Sequence, residues 1–389
     1  MARTITTGID IGTYQVKVVI TERLRKNGRY YPKIIGTGIA ESKGLRHGYI
    51  INSADVTRSV GVALHQAEKT AGIKVRKVFI SVGGIGLDAF RTKGDVFISR
   101  ADSEIVDLDV SKALAESEQA ITAKITNRKV LHAIPVAYWV DNEPVLGSPS
   151  GMKGSKLSIE TLFVTCLERH LNDLIQATEE AGVDVVDVMA SPLAGSLVML
   201  TKAQKIAGCV LANIGAETVS IVVFEDNIPI SLKVFPIGST DITNDIALGL
   251  RISLEEAEQI KRGAITGTVF PKKKLDDIIL ARLSDIFELI DSHLQEIGKS
   301  GMLPAGIVLT GGGSGVSTIE DLARAILKLP SKIAHVGGGS ENPRLRDASW
   351  AVAYGLCLWG FQSDEEGDGI AFAKKTSKTL LDWIKQFLP

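Results

Sequence analysis

The chain has 389 residues, 45% hydrophobic and 23% charged, with 44 Lys+Arg against 45 Asp+Glu and a formal net charge of -1. That length can bury two cores, so two lobes are expected, and the even charge excludes the basic excess of a nucleic-acid binder. Cys166, Cys209 and Cys357 lie far apart in apolar settings, without metal-site spacing or the density of a secreted framework, which predicts reduced thiols and a cytoplasmic protein.

At the N-terminus, Met1 to Thr7 is too short and polar for a signal peptide. The first element runs from Ile11-Gly12-Thr13-Tyr14-Gln15-Val16 to Glu22, a strand, a glycine turn and a second strand. The pattern returns at Ile214-Gly215-Ala216-Glu217-Thr218-Val219 to Glu225, with the Gly, a Val four residues on, an apolar run and a Glu in register. A repeat this widely spaced suggests duplicated lobes rather than a solenoid. Such a turn can bring backbone N–H groups against phosphate because Gly has no Cβ, although one copy alone reads equally as an ordinary tight hairpin.

Ser253 to Lys261 reads as a helix with Glu258 and Lys261 one turn apart, a spacing that by itself suits a surface ion pair. Gly306 to Thr310 is an apolar strand running into Gly311-Gly312-Gly313-Ser314-Gly315, after which Val316 to Leu329 reads as helix. A strand–glycine loop–helix junction suits a nucleotide, but it lacks the P-loop Lys-Ser/Thr and the Rossmann spacing. Gly337 to Gly339 forms another glycine loop. Ser363 to Gly369 is acidic and glycine-containing, which predicts a linker. Beyond it, Leu380, Leu381, Ile384, Phe387 and Leu388 share one helical face with Trp383 at its edge, a pattern for the membrane interface or for docking on the protein's own core. No stretch nears the roughly 18 apolar residues a spanning helix needs.

Taken in order, these segments resemble the actin/Hsp70/sugar-kinase superfamily. Asp10 to Thr13 looks like its first phosphate loop, Asn213 to Ala216 like the second, Thr310 to Ser314 like the adenosine loop, and Asp347 to Gly355 like the closing helix. Within it the chain resembles the FtsA family of bacterial cell-division proteins, on the insertion from about Gly83 to Ser158, its Ile134-Pro135 strand end and the amphipathic tail. The resemblance implies an α/β, actin-like two-lobed fold of duplicated ribonuclease-H-like cores with an inserted 1C subdomain. The implied division is 1A at 1–82, 1C at 83–158, 1A again at 159–196, 2A at 197–240, 2B at 241–303 and 2A at 304–340. A closing helix at 341–362, a linker at 363–375 and a membrane helix at 376–389 complete it.

The same resemblance implies ATP or ADP with Mg²⁺, the metal held through water by Asp10. The implied nucleotide residues are Asp10, Gly12, Thr13, Tyr14, Gln15, Lys17, Asn213, Gly215, Ala216, Glu217, Gly238, Glu258, Lys261, Gly311, Gly312, Gly313 and Ser314. Gln15 stands where many FtsA sequences carry Lys, and Lys17, on the same strand face, coincides with the phosphate-contacting lysine position of actin. Asn213 replaces an Asp of actin and the chaperones, and Ala190 to Leu200 offers no water-orienting carboxylate. Binding with slow or absent hydrolysis is therefore expected, and no catalytic residue is assigned.

Implied partners are a second copy in filaments, membrane lipid through the tail, the FtsZ C-terminal peptide on 2B and later division proteins on 1C, all at the cytoplasmic face of the membrane at the division site. Lys272 to Lys274 and Arg282 supply positive charge on 2B for an acidic peptide, although a lysine run alone reads as a solvated loop. Rivals are a sugar or acetate kinase, which needs a substrate base not found here, a chaperone, which needs a further domain, and MreB, which lacks the insertion. The pilus protein PilM shares an insertion but is expected to end without the tail.

Overall fold

The computed structural model describes residues 4–26, 29–122, 125–264, 270–316, 318–334 and 347–365. Two five-stranded sheets carry the fold, and they repeat one another. In the first, strands run in the order Asp184–Ala190, Lys77–Val82, Ile5–Ile11, Gln15–Lys26, Arg29–Glu41. In the second the order is Ser331–Ile333, Ile307–Thr310, Cys209–Ile214, Val219–Glu225, Ile228–Phe235. Each has a central strand antiparallel to the hairpin mate that follows it and parallel to a strand on its other side. The two hairpins also share a register: Ile11 faces Val16, and Ile214 faces Val219.

The strands read as nearly continuous apolar runs because both faces are covered. In the first sheet Val16, Val18 and Ile20 pack into the main core with Val60, Ala63 and Ala67 of the helix Ser53–Ala71. The alternate residue Val19 meets Trp350, Ala353 and Cys357 of the closing segment instead. In the second sheet Val210, Ala212 and Ile214 join Leu283, Phe287 and Ile290 of the helix Lys272–Glu296. Leu211, Val222 and Phe224 face the other way, into the core shared with the lobe built on the first sheet (lobe I; the second sheet builds lobe II). Cys166, Cys209 and Cys357 are free and buried, as their apolar surroundings predict.

The lobes meet through two helices, Ser191–Met199, which directly follows Asp184–Ala190, and Ala351–Glu365, which follows the short 3-10 turn Ala348–Trp350. Gly355 sits at their crossing, where a Cβ would lie 1.9 Å from the Ala194 carbonyl oxygen. The closing helix runs to Glu365, three residues past its expected end at 362 and into the expected linker. Its first expected part, 341–346, falls outside the described residues, as do Gly337 to Gly339 and the tail residues Leu380, Leu381, Trp383, Ile384, Phe387 and Leu388. Among the described residues no helix is long and apolar enough to cross a membrane.

Between the strands Lys77–Val82 and Asp184–Ala190 the chain leaves lobe I to build a separate four-stranded antiparallel sheet. Its order is Leu87–Phe97, Lys156–Leu167, Arg128–Val140, Glu143–Val145, and the helix Asp107–Thr122 packs on one face. Val110 and Ala113 of that helix close a small core with Tyr138, Val140, Leu157 and Ile159. Asp141 and Asn142, both at positive φ (52° and 69°), make the tight hairpin turn. The last strand, Lys156–Leu167, crosses the expected boundary at 158 without a break. This insert also touches lobe II, where Arg91 Nε donates to the Ile230 carbonyl at 2.9 Å.

Candidate functional site

The three glycine turns converge. A cleft of about 760 Å³ between the lobes is lined by Asp10 to Gln15 and Lys17 from the first turn, by Asn213, Gly215 and Ala216 from the second, and by Thr310 to Val316 from the third. The first two turns are closed alike, Gly12 N donating to Gln15 O at 3.2 Å and Gly215 N to Thr218 O at 2.9 Å. The third is seated on the second. Gly311 has φ +88°, and a Cβ there would lie 2.2 Å from Asn213 Oδ1 and 2.5 Å from the Ile214 carbonyl oxygen, so only glycine fits. The expected helix from Val316 begins later: Gly312–Gly315 is a 3-10 turn pinned by Ser314 Oγ donating to Gly311 O at 2.7 Å, and the helix proper is Ile319–Leu327.

At the phosphate turns the charge lies on lobe I. Asp10 and Lys17 face each other across the first hairpin, and Ser81 Oγ donates to Asp10 Oδ1 at 2.8 Å. Burial pushes the Asp10 carboxyl above its usual range, while Lys17 and the Ser81 hydroxyl pull it back. Burial pushes the Lys17 ammonium below its usual range against the pull of Asp10 and Asp347. Lys17 is 8% exposed, with its ammonium 6.0 Å from the Trp350 ring centroid. A desolvated lysine beside turns that present N–H groups gains from an incoming phosphate, whose charge offsets the hydration the ammonium lost on folding. At the equivalent places in lobe II stand Asn213 and Ser220, both uncharged.

The opposite wall is a hydrogen-bonded cluster rather than a surface ion pair. The helix Leu254–Lys261 is capped by Ser253, which accepts from Glu256 N at 3.2 Å. Glu258 Oε2 lies 2.6 Å from Lys261 Nζ and accepts from Thr243 Oγ1 at 2.6 Å. Lys261 also donates to the Ser239 carbonyl at 3.0 Å. Burial raises the pKa of Glu258, but bonds from Lys261, Thr243 and Arg262 outweigh it and hold the carboxylate below its usual range. The spacing of Glu258 and Lys261 permits an exposed pair worth a few tenths of a kcal/mol; instead Lys261 is largely buried at the cleft wall.

Two expected nucleotide residues do not line the cleft. Glu217 turns away to lobe I, its carboxylate accepting from the His47 backbone N–H and its carbonyl lying 3.1 Å from His47 Nδ1. Gly238 sits behind the second turn, capping the helix Ser239–Leu250, where a Cβ would strike the Ala216 carbonyl oxygen at 2.3 Å. Among the lining residues that were not expected there, Ser81, Asp347 and Arg262 bear on its charge and hydrogen bonding. Asp347 opens the closing segment and accepts from Ser349 N at 2.9 Å. Its place in the Asp347–Gly355 motif, and that of Arg262 directly after Lys261, were the available signals. Ser81 carried none, since it reaches Asp10 only through strand pairing.

The carboxylates lining the cleft among the described residues are Asp10, Glu258 and Asp347. Glu258 is committed to Lys261 and Arg262, which leaves Asp10 beside the phosphate turns and Asp347 at the start of the closing segment, where it accepts from Ser349 N. A magnesium ion keeps most of its waters and takes one or two carboxylates, so this donor set fits one. The helix Ser191–Met199 faces the cleft with Ser191, Pro192 and Gly195 and no carboxylate.

Arg282 is not an open positive site. Nε donates to Asp245 Oδ2 at 2.7 Å, Nη2 to Oδ1 at 3.2 Å, and Asp285 lies 3.2 Å from Nη1. Two carboxylates neutralise it, so its expected role toward an acidic peptide is not supported. Lys272 to Lys274 open the same helix and are exposed.

Two family models match, one described as "Cell division protein FtsA" over residues 210–355 and one as "SHS2 domain inserted in FTSA" over 86–165, the region of the extra sheet. The chain is similar to the cell division protein FtsA of Bacillus subtilis, 30% identical over 90% of this chain and 81% of that one. It is also similar to the FtsA of Pseudomonas aeruginosa, 27% identical over 92% and 90%, and to that of Escherichia coli, 25% identical over 99% and 96%. Among solved structures, a PilM–PilN type IV pilus biogenesis complex matches with a TM-score of 0.68 at 19% identity, covering 92% of this chain and 99% of that one. Spiroplasma citri MreB5 bound to ADP matches with a TM-score of 0.52 at 12% identity, covering 94% and 99%. These two likenesses concern the fold, which is actin-like.

Proposed function

The chain belongs to the FtsA family of cell-division proteins, and from that premise we propose that it is an adenine-nucleotide-binding, actin-like scaffold that assembles on the membrane at the division site. The observation that carries the nucleotide reading is the convergence of three glycine turns on one cleft, with Asp10 and Lys17 on one wall and Glu258 and Lys261 on the other. Gly12, Thr13, Gly215, Ala216 and Gly311 to Gly313 would offer backbone contacts to ATP or ADP, Lys17 would neutralise phosphate, and Asp10 would hold Mg²⁺ through water. Likeness to MreB5, solved with ADP and with AMPPNP, supports the same reading. With Asn213 in place of a second acid and no carboxylate on the helix Ser191–Met199 facing the cleft, the nucleotide acts chiefly as an assembly signal and turns over slowly.

In the same proposal the segment 376–389 is the lipid contact on the cytoplasmic face. A helix burying five or six apolar side chains gains several kcal/mol at about 1.5–3 each before ordering costs, so single copies bind weakly and an assembled filament binds by avidity. Region 241–303 receives the acidic C-terminal peptide of FtsZ, and the insert contacts later division proteins. Liposome co-sedimentation tests this reading. The full chain is expected to sediment with ATP and Mg²⁺, and a chain lacking residues 376–389 is not; equal sedimentation of the two would sink the tethering role.

A further inference from the structure

The wall residue Arg262 reaches across the cleft. Its Nη2 donates to the Tyr14 hydroxyl at 2.9 Å, although the two lie 248 residues apart, and the guanidinium carbon is 5.6 Å from the Tyr14 ring centroid. Both residues line the cleft, yet Tyr14 is 51% exposed and the Arg262 side chain 56% exposed. The contact therefore stands at the solvent edge of the cleft and closes over it.

Neither partner is loose. Arg262 Nε is held by Glu258 Oε1 at 2.7 Å, and Glu258 is itself fixed by Lys261 and Thr243. Tyr14 is in the first phosphate turn, and its carbonyl accepts from Ser42 N at 3.0 Å. A planar guanidinium that both hydrogen-bonds a phenol and lies near its ring joins two moderate attractions. In an exposed setting they sum to a contact strong enough to hold and weak enough to break.

We propose that Tyr14 and Arg262 form a gate across the mouth of the cleft, which must part before an adenine nucleotide enters or leaves and which sets the rate of exchange. This rests on the nucleotide reading above. A gate slows entry and exit together, whereas a direct contact to bound ligand slows exit alone.

Stopped-flow fluorescence with a methylanthraniloyl derivative of ATP separates the two. Tyr14→Phe keeps the ring and removes the hydroxyl; Arg262→Ala removes the other partner and leaves Glu258 its bond to Lys261. Each is expected to raise both association and dissociation rates about fivefold, the scale of one such hydrogen bond. The double variant is expected to be no faster than the faster single, because both break one contact. Rates at the wild-type value, a faster release with unchanged association, or additive effects would each overturn the gate while leaving nucleotide binding intact. A wild-type protein that binds none of the probe would overturn the nucleotide reading itself.

Discussion

The two glycine hairpins share a backbone and differ in chemistry. Ile5–Ile11 with Gln15–Lys26 and Cys209–Ile214 with Val219–Glu225 close the same turn and hold the same register. Yet the facing pair is Asp10 and Lys17 in lobe I, and Asn213 and Ser220 in lobe II. What has been kept is what any phosphate needs, N–H groups on a turn without side-chain obstruction. Lobe I carries the charge at the phosphate turns, while lobe II supplies the Glu258–Lys261–Arg262 cluster on the opposite wall. A cleft whose phosphate turns carry acid and base in one hairpin only is suited to holding a nucleotide more than to splitting it.

The asymmetry extends to the helices joining the lobes, and here the largest effect is expected. Gly195 and Gly355 each stand fifth in their helix. A Cβ at Gly195 would meet its nearest atom at 3.7 Å, an ordinary contact, while one at Gly355 would drive into the Ala194 carbonyl at 1.9 Å. Gly195→Ala is therefore expected to be neutral or to stabilise by up to about 1 kcal/mol through helix propensity. Gly355→Ala forces the crossing apart and is expected to cost about 3 kcal/mol or more. Denaturant unfolding of the two variants checks this, and equal midpoints would show that the crossing yields.

The hairpins themselves offer the next break. Lys17→Met removes the buried cation and leaves Asp10 without its cross-strand partner, whereas Ser220→Ala removes only a hydroxyl at the matching place. Loss of a charge-assisted contact to phosphate is expected to weaken ATP binding at least about tenfold, a cost of 1.4 kcal/mol or more. The lobe II change is expected to shift it less than about twofold. Equilibrium titration with a fluorescent ATP analogue reads both; equal losses would mean that the two hairpins share the phosphate evenly.

These contrasts also explain what sequence could reveal. The hairpins, the glycine cluster after Gly306 and the Glu258–Lys261 helix are local patterns, each specified within a dozen residues, and they stand out before any fold is known. Ser81 reaches Asp10 only because Lys77–Val82 lies parallel to Ile5–Ile11, a neighbour relation no local pattern encodes. Glu217 looked like a ligand because it follows the second turn, but the rotation of its side chain is decided by His47, 170 residues away. Arg282 looked like a docking charge because its two-pronged partner Asp245 lies on another helix, 37 residues away, although Asp285 at i+3 on its own helix was a local signal. Backbone turns were legible; the allegiance of charged side chains was not.

The smallest expected change sharpens the comparison most. Asn213→Asp restores to lobe II the carboxylate that lobe I has in Asp10, in a backbone setting already matched, since Asn213 and Asp10 occupy the same place in their strands. A second acid facing the phosphate turns can help hold Mg²⁺ and orient its water, two of the parts on which phosphoryl transfer depends. Phosphate release is expected to rise by a few-fold to about tenfold, short of the 10²–10³ that a fully placed polar group contributes, because the cleft-facing Ser191, Pro192 and Gly195 still supply no carboxylate to aim the attacking water. The wild type is expected to release less than about one phosphate per second, at or below the floor of typical kinases. If Asn213→Asp left that rate unchanged while Mg²⁺-dependent binding tightened, the second carboxylate would serve only to hold metal. Slow turnover would then be set by the missing water-orienting group on the helix Ser191–Met199 rather than by the neutral residue in the second hairpin.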